Sequence, residues 1–238
     1  MAALLFIHGA WHGGWCWEPL ANLLRAQGHI VAAPDMPGTG GLADYTACAL
    51  EALHALPEPP ILVGHSQGGL VITAVAEQAP NEIRGLVYVC AFLPRPGQSI
   101  SGILRENNVK MPLPFVNVSD DRLWTSVKPG AMEEYIYHDC PRDSLLRAQS
   151  AVRPEPAALS KDSIDTTAAR FGRLPRAYIE CLRDRVIPLP VQRAMHAATP
   201  CRPVLSMDTG HAPFCSDPST LAAVLQRAMA EMPLPSTH

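Results

Sequence analysis

The chain has no run of basic residues and almost no net charge: 19 Lys and Arg stand against 22 Asp and Glu, leaving −3 near neutral pH. That balance excludes the electrostatic footprint of a nucleic-acid or anionic-membrane binder. Its seven cysteines (16, 48, 90, 140, 181, 201 and 215) are odd in number and scattered, with no Cys-x-x-Cys. A disulfide framework and a structural zinc site are therefore not expected, and a reducing, cytoplasmic setting is. Cys90 and Cys181 fall in predicted strands and read as buried free thiols. No apolar stretch approaches the roughly 20 residues that span a bilayer. The opening "MAALLFIHGAWHGG" lacks a basic leader and a small-residue cleavage site, so it reads as a first core strand. "PGTGG" (37–41) falls short of Gly-x-Gly-x-x-Gly, and nothing else calls for a nucleotide, flavin or metal.

What is present is a hydrophobic fraction of 47% in 238 residues, enough for one sizeable core carrying an insertion. Uniformly apolar runs at 3–7, 29–33, 61–63, 85–90, 177–181 and 203–207 predict buried strands. Helical patterns at 19–27, 45–56, 68–78, 190–197 and 218–232 alternate with them. Apolar strands alternating with helices imply a mostly parallel six-stranded sheet covered on both faces, a doubly wound α/β fold. Residues 94–172 break the rhythm. They show no convincing buried strand and only short helical pieces near 132–137 and 144–150, so they are expected to form a helical cap over a core of 1–93 and 173–238. The tail "PLPSTH" is expected to fray.

The most informative segment is "ILVGHSQGGLVITAV" (61–75), a strand and a helix separated by Gly64-His65-Ser66-Gln67-Gly68. Glycines two residues to each side of a serine suit a turn too tight for side chains at those places. Such a turn holds its central residue in a strained conformation and thrusts its side chain outward. This is the Gly-x-Ser-x-Gly nucleophile elbow in its required strand–turn–helix context.

A serine nucleophile needs a base, and the base an orienting acid. Of the downstream histidines, His138 lies in the predicted cap, His196 within a helix and His238 at the terminus. Only His211, in "LSMDTGHAPFCSDP", follows a core strand directly. The acid should stand just past the preceding strand, and "AYIECLRDRVIP" puts Asp184 there; Asp208 is too close in sequence to His211 to approach it from across a site. Two backbone donors complete an acyl-transfer site: the N–H of Gln67, after the serine, and that of Ala10, in the turn after the first strand.

The motifs "HGAWHGGWCW", "GHSQGG", "VYVCAFLP", "CPRDSLLRAQSAVRP", "RFGRLPRAYIECLRDRVIP" and "GHAPFCSDP" span nearly the whole chain. Through them it resembles the α/β-hydrolases, and within these the plant methylesterase and hydroxynitrile-lyase family with its bacterial esterase relatives. The resemblance implies the same five residues, a deep apolar pocket under a helical cap, and often a homodimer. The family's lyases carry a threonine after the first-strand histidine and a lysine after the catalytic histidine. Gly9 and Ala212 occupy those positions here, which favours an esterase. Gln67 is polar where the plant members usually carry a smaller or apolar residue.

The expected activity is hydrolysis of small, largely hydrophobic carboxylic esters through an acyl-enzyme. A lactonase or thioesterase with the same residues, or a slow-turnover ligand receptor, are the alternatives. Trp11, Phe92, Trp124 and Phe214 are the expected aromatic walls of the substrate pocket.

Overall fold

The computed structural model describes residues 1–233. Apart from Pro233, the tail expected to fray lies outside them, as does His238. Along the chain, β1 (Ala3–Ile7), α1 (Glu18–Ala26), β2 (Ile30–Ala32), α2 (Leu42–His54), β3 (Ile61–His65), α3 (Gly68–Gln78) and β4 (Gly85–Val89) form the first half of the core. The excursion holds β5 (Gln98–Ser99), α4 (Ile100–Glu106), β6 (Val116–Val118), β7 (Trp124–Val127), α5 (Arg142–Ala151), β8 (Glu155–Pro156) and β9 (Ser163–Ile164). The core then resumes with β10 (Arg176–Cys181), α6 (Leu189–Ala198), β11 (Val204–Met207), α7 (Pro213–Ser216) and α8 (Pro218–Glu231).

The core strands form one parallel sheet in the order β11–β10–β4–β3–β1–β2. Every residue of β1, β3 and β4 is buried, which is why these segments read as unbroken apolar runs instead of alternating ones. Leu5 sits beside Leu62 on one side and Ala32 on the other, and Tyr88 lies level with Tyr178. Two helical pairs, α1 on α8 and α2 on α3, cover the sheet. Helix α1 turns Leu20, Ala21 and Leu24 inward and keeps Glu18 and Arg25 in solvent, the spacing expected of one buried stripe. Asp217 caps α8 by accepting from Thr220 N at 3.0 Å, with Pro218 in the first turn.

The excursion contains more strand than the sequence suggests. In addition to helical turns at Met132–Ile136 and Arg142–Ala151, close to where they are expected, it has a further helix, α4. Two small antiparallel sheets accompany these, β5–β9 and β6–β7–β8. Two of the three residues of β6 and the first of β7 are exposed, and the others are half-buried. Both strands are too short and too exposed to leave an apolar signature, and β7 pairs on its other side with β8, 30 or more positions away.

Candidate active site

Because the sheet is parallel, the loops after β1, β3, β10 and β11 all emerge at the same edge, where ligands of open α/β sheets bind. Ser66 stands at the end of β3 with φ 51°, a left-handed conformation that few non-glycine residues adopt. Its flanking glycines are required by contact. A Cβ on Gly68 would lie 2.4 Å from the Ile7 carbonyl oxygen, and one on Gly64 would lie 2.8 Å from that of Gly68. The turn is tight because α3 begins immediately behind it, buried along nearly its whole length.

The structure brings Ser66, His211 and Asp184 together. Ser66 Oγ donates to His211 Nε2 at 3.1 Å, and His211 Nδ1 donates to Asp184 Oδ2 at 2.8 Å. All three residues are buried. The other carboxylate oxygen of Asp184 accepts from Val186 N and Ile187 N at 2.7 and 2.9 Å, and Gln192 Nε2 lies 3.4 Å from Oδ2. These donors fix the orientation of the carboxylate. The rejected candidates stand elsewhere. Asp208 is at the surface, paired with Arg183, and His196 bonds Glu180. His138 bonds the Arg183 carbonyl.

Ala10 and Gln67 both line the cavity in front of Ser66. Neither backbone N–H has a protein acceptor among the described residues, so both are free to meet a developing oxyanion. The Ala10–Trp11 peptide is held on both sides. His12 Nδ1 donates to Ala10 O at 2.7 Å, and Trp11 N donates to Glu155 Oε2 at 2.7 Å. Burial pulls the His12 ring down to about 4; it is neutral, and its Nε2 accepts from Tyr137 Oη at 2.8 Å.

Glu155 is the residue that sequence reasoning passed over. It lies at a strand end in the 94–172 excursion, is buried, and accepts at 2.5 Å from Gln67 Nε2 as well as from Trp11 N. The Gln67 side chain therefore points to Glu155. Burial pushes the Glu155 carboxyl up to about 7, against the opposite pull of its bonds from Trp11, Gln67 and Tyr45 and of the Arg153 charge. The only signal in the sequence was a glutamate between two prolines in "RPEP", which says nothing about a partner 88 residues away.

The cavity over Ser66 has a volume of about 560 Å³. Ile100, Leu104, Val109, Leu113 and Val116 form its apolar roof, and Arg105, Arg122 and Lys161 are its cationic lining residues, all three exposed. Of the four expected aromatic walls, Trp11 and Phe92 line it. Two require correction. Trp124 lies outside the cavity because side chains alternate along a strand: its neighbour Thr125 faces inward and Trp124 faces out, 37% exposed. Phe214 is fully buried beneath the site, its ring 5.0 Å from that of His65 and 5.2 Å from that of Trp17.

One cluster has the residue types of a metal site. Ligand atoms of His65, Cys90 and His211 lie within 4.8 Å of one another. The donor set does not fit a metal. His65 Nε2 is committed to the His211 carbonyl at 2.7 Å, His211 is held by Asp184 and Ser66, and burial raises the Cys90 thiol far above its ordinary value, away from thiolate.

Comparison with known proteins identifies the family of the chain and the fold it shares. A family model described as "Alpha/beta hydrolase family" matches residues 4–224. Methylesterase 18 of Arabidopsis thaliana is 30% identical over 96% of this chain and 97% of its own. Salicylic acid-binding protein 2 of Nicotiana tabacum is 33% identical over 79% of this chain and 82% of its own. The crystal structure of a pyrethroid hydrolase from Sphingobium faniae superposes with a TM-score of 0.86 at 29% identity, covering 96% of this chain and 98% of that one.

Proposed function

The chain belongs to the alpha/beta hydrolase family, and from that premise we propose that it is a serine carboxylesterase acting on largely hydrophobic carboxylic esters through an acyl-enzyme. Residues 94–172 serve as the cap that shapes the substrate chamber, over a core of 1–93 and 173–238. The observation that carries the reading is the continuous hydrogen-bonded relay from Ser66 through His211 to Asp184 at the floor of an apolar cavity.

In the first half-reaction Ser66 Oγ attacks the ester carbonyl carbon while His211 Nε2 accepts its proton. Asp184 holds the His211 tautomer and stabilises the imidazolium that forms. The N–H groups of Ala10 and Gln67 receive the carbonyl oxygen as it becomes negative. The tetrahedral intermediate collapses, His211 gives its proton to the departing alkoxide, and the alcohol leaves. Water then repeats the sequence on the acyl-enzyme, releasing the acid and restoring Ser66. Because the chamber is roofed by aliphatic side chains, burial of an apolar acid or alcohol supplies the binding energy, on the order of 25 cal/mol per Å² covered. The printed names of its relatives, methylesterases and a pyrethroid hydrolase, support ester substrates of this kind. Ala212, buried where the family's lyases carry a lysine, leaves no cation beside His211 for a departing cyanide. The unpaired state of all seven cysteines supports a reducing, cytoplasmic setting, and no helix among the described residues is long and apolar enough to cross a membrane.

Stopped-flow mixing with a short-chain p-nitrophenyl ester tests the proposal. A burst of p-nitrophenol equal to the enzyme concentration, absent in Ser66→Ala, is expected. A folded wild type with neither burst nor turnover would favour the receptor reading and overturn it.

A further inference from the structure

Glu155 is an acid in an unusual place: buried, contributed by the cap, and within hydrogen-bond distance of both halves of the proposed oxyanion hole. One half is the turn after β1. There Trp11 has φ 63°, a left-handed conformation that is costly for a bulky residue and persists only where neighbours impose it. Segments of the cap impose it from three sides. Glu155 accepts from Trp11 N, Thr125 Oγ1 accepts from the indole Nε1 at 3.2 Å, and Arg153 N donates to Trp11 O at 3.0 Å. Thr125 in turn donates to the Glu155 carbonyl at 3.3 Å. The other half is the elbow, and there Glu155 accepts from the Gln67 side chain.

We propose that Glu155 is a positioning residue that bridges the oxyanion turn to the nucleophile elbow, setting the distance between the Ala10 and Gln67 backbone donors. It touches no reacting atom. Its Oε2 accepts from Trp11 N and its Oε1 from Gln67 Nε2, so the Ala10–Trp11 peptide and Gln67 are referred to one rigid group. Two donors converging on a single oxygen lose their effect steeply when their separation drifts, because the hydrogen bonds lengthen just where charge develops. A buried carboxyl is an expensive way to fill space in a cap. Its retention at this spot is explained by geometry that an apolar residue cannot supply.

The test compares Glu155→Leu, Glu155→Gln, Gln67→Leu and the double variant Glu155→Leu/Gln67→Leu. Each is measured for kcat, KM and thermal stability, and for affinity toward a trifluoromethyl ketone and the matching methyl ketone. Only the fluorinated ketone adds readily to Ser66 and presents an oxyanion. Glu155→Leu should lower kcat roughly 10- to 100-fold, less than the roughly 10²–10³ for outright loss of an oxyanion donor. It should weaken the fluorinated ketone by a similar factor and leave the methyl ketone within about threefold. Glu155→Gln should retain most activity, since the Gln67 amide can turn its oxygen toward the new NH2 group. The double variant should be no worse than Glu155→Leu alone, because both changes break one bridge.

Unchanged kcat in Glu155→Leu, equal weakening of both ketones, or single losses that multiply in the double variant would overturn the bridge. If Glu155→Leu does not fold, Gln67→Leu is read with the same pair of ketones, and equal weakening or none overturns it. The proposal rests on ester hydrolysis at Ser66. A wild type that neither turns over esters nor prefers the fluorinated ketone defeats both readings, whereas an active wild type with an indifferent Glu155→Leu defeats this one alone.

Discussion

Ser66 Oγ and His211 Nε2 lie 3.1 Å apart although 145 residues separate them in the chain. They meet because β3 and β11 are members of one parallel sheet, so the loops at their C-terminal ends share an edge. Asp184, at the end of β10, stands between them in chain order and behind His211 in space. Removing the hydroxyl in Ser66→Ala should lower kcat by several orders of magnitude, on the order of 10⁶ in the most thoroughly dissected serine hydrolase. Stability should change little, since the side chain contributes a single hydroxyl. A loss below tenfold in steady-state assays would remove Ser66 from the chemistry.

Asp184 and Asp208 flank the same loop region and differ in what they touch. Asp184→Asn should cost on the order of 10⁴ in kcat by offering His211 the wrong tautomeric partner. Asp208→Asn loses only an exposed pairing with Arg183, and such pairs contribute about 0–1 kcal/mol. Measuring both variants on one ester decides the acid, and a reversed order would reassign it.

Gly68 approaches the Ile7 carbonyl too closely for any side chain. Gly68→Ala must push β1 from α3 or move the elbow, at a cost of roughly 1–3 kcal/mol or more. A melting temperature lowered by several degrees together with depressed kcat is the expected result. An alanine variant as stable as wild type would show that the elbow relaxes freely.

The cavity-lining residues of the 94–172 excursion, not its tryptophan, should set ester size. Val116→Trp fills part of the chamber, so kcat/KM should fall for bulky acyl groups and hold for acetate esters. Trp124→Ala changes a partly exposed ring outside the chamber, and the ratio of kcat/KM between large and small esters should stay within about twofold, about 0.4 kcal/mol. A size-dependent change in Trp124→Ala would put that ring back at the pocket wall.

Glu155 also predicts a pH dependence of stability. Its carboxyl titrates at about 7 in the folded chain against an ordinary 4.5, so folding favours the protonated form. That contribution is complete below pH 4.5 and is lost as pH rises through 7, amounting to roughly 3 kcal/mol at most. Tyr45 and Arg153 face the carboxyl, and His8 and His12 border the same small cavity. Burial lowers both histidines to about 4, so their effect runs the other way, as stability lost when pH falls from 6.5 toward 4. Subtracting the wild-type melting profile from that of Glu155→Gln cancels the histidines. The difference should grow in favour of the glutamine between pH 4.5 and 7 and then level off. A flat difference would show that the carboxyl does not titrate there.

The sequence by itself determined the core and which strand ends carry Ser66, Asp184 and His211. Unbroken apolar runs such as "LLFI" and "LVYV" permit only strands buried on both faces, and a parallel sheet built from them delivers the residues after each strand to one edge. Ser66, Asp184 and His211 are legible for that reason: each is tied to a strand end, and strand ends are local features. Tertiary structure alone decided the form of the 94–172 excursion and what it touches. Strands β6 and β7 are short and partly solvated, and β7 depends on a second partner, β8, that lies 30 or more positions away. Whether Trp124 or Thr125 faced the chamber was a matter of register, which a single residue of slip inverts. Glu155 is the plainest case. No periodicity marks a carboxyl whose importance lies in two donors, one 144 residues away and the other 88. A buried acid is tolerated only where such donors converge, and that convergence is a property of the folded chain.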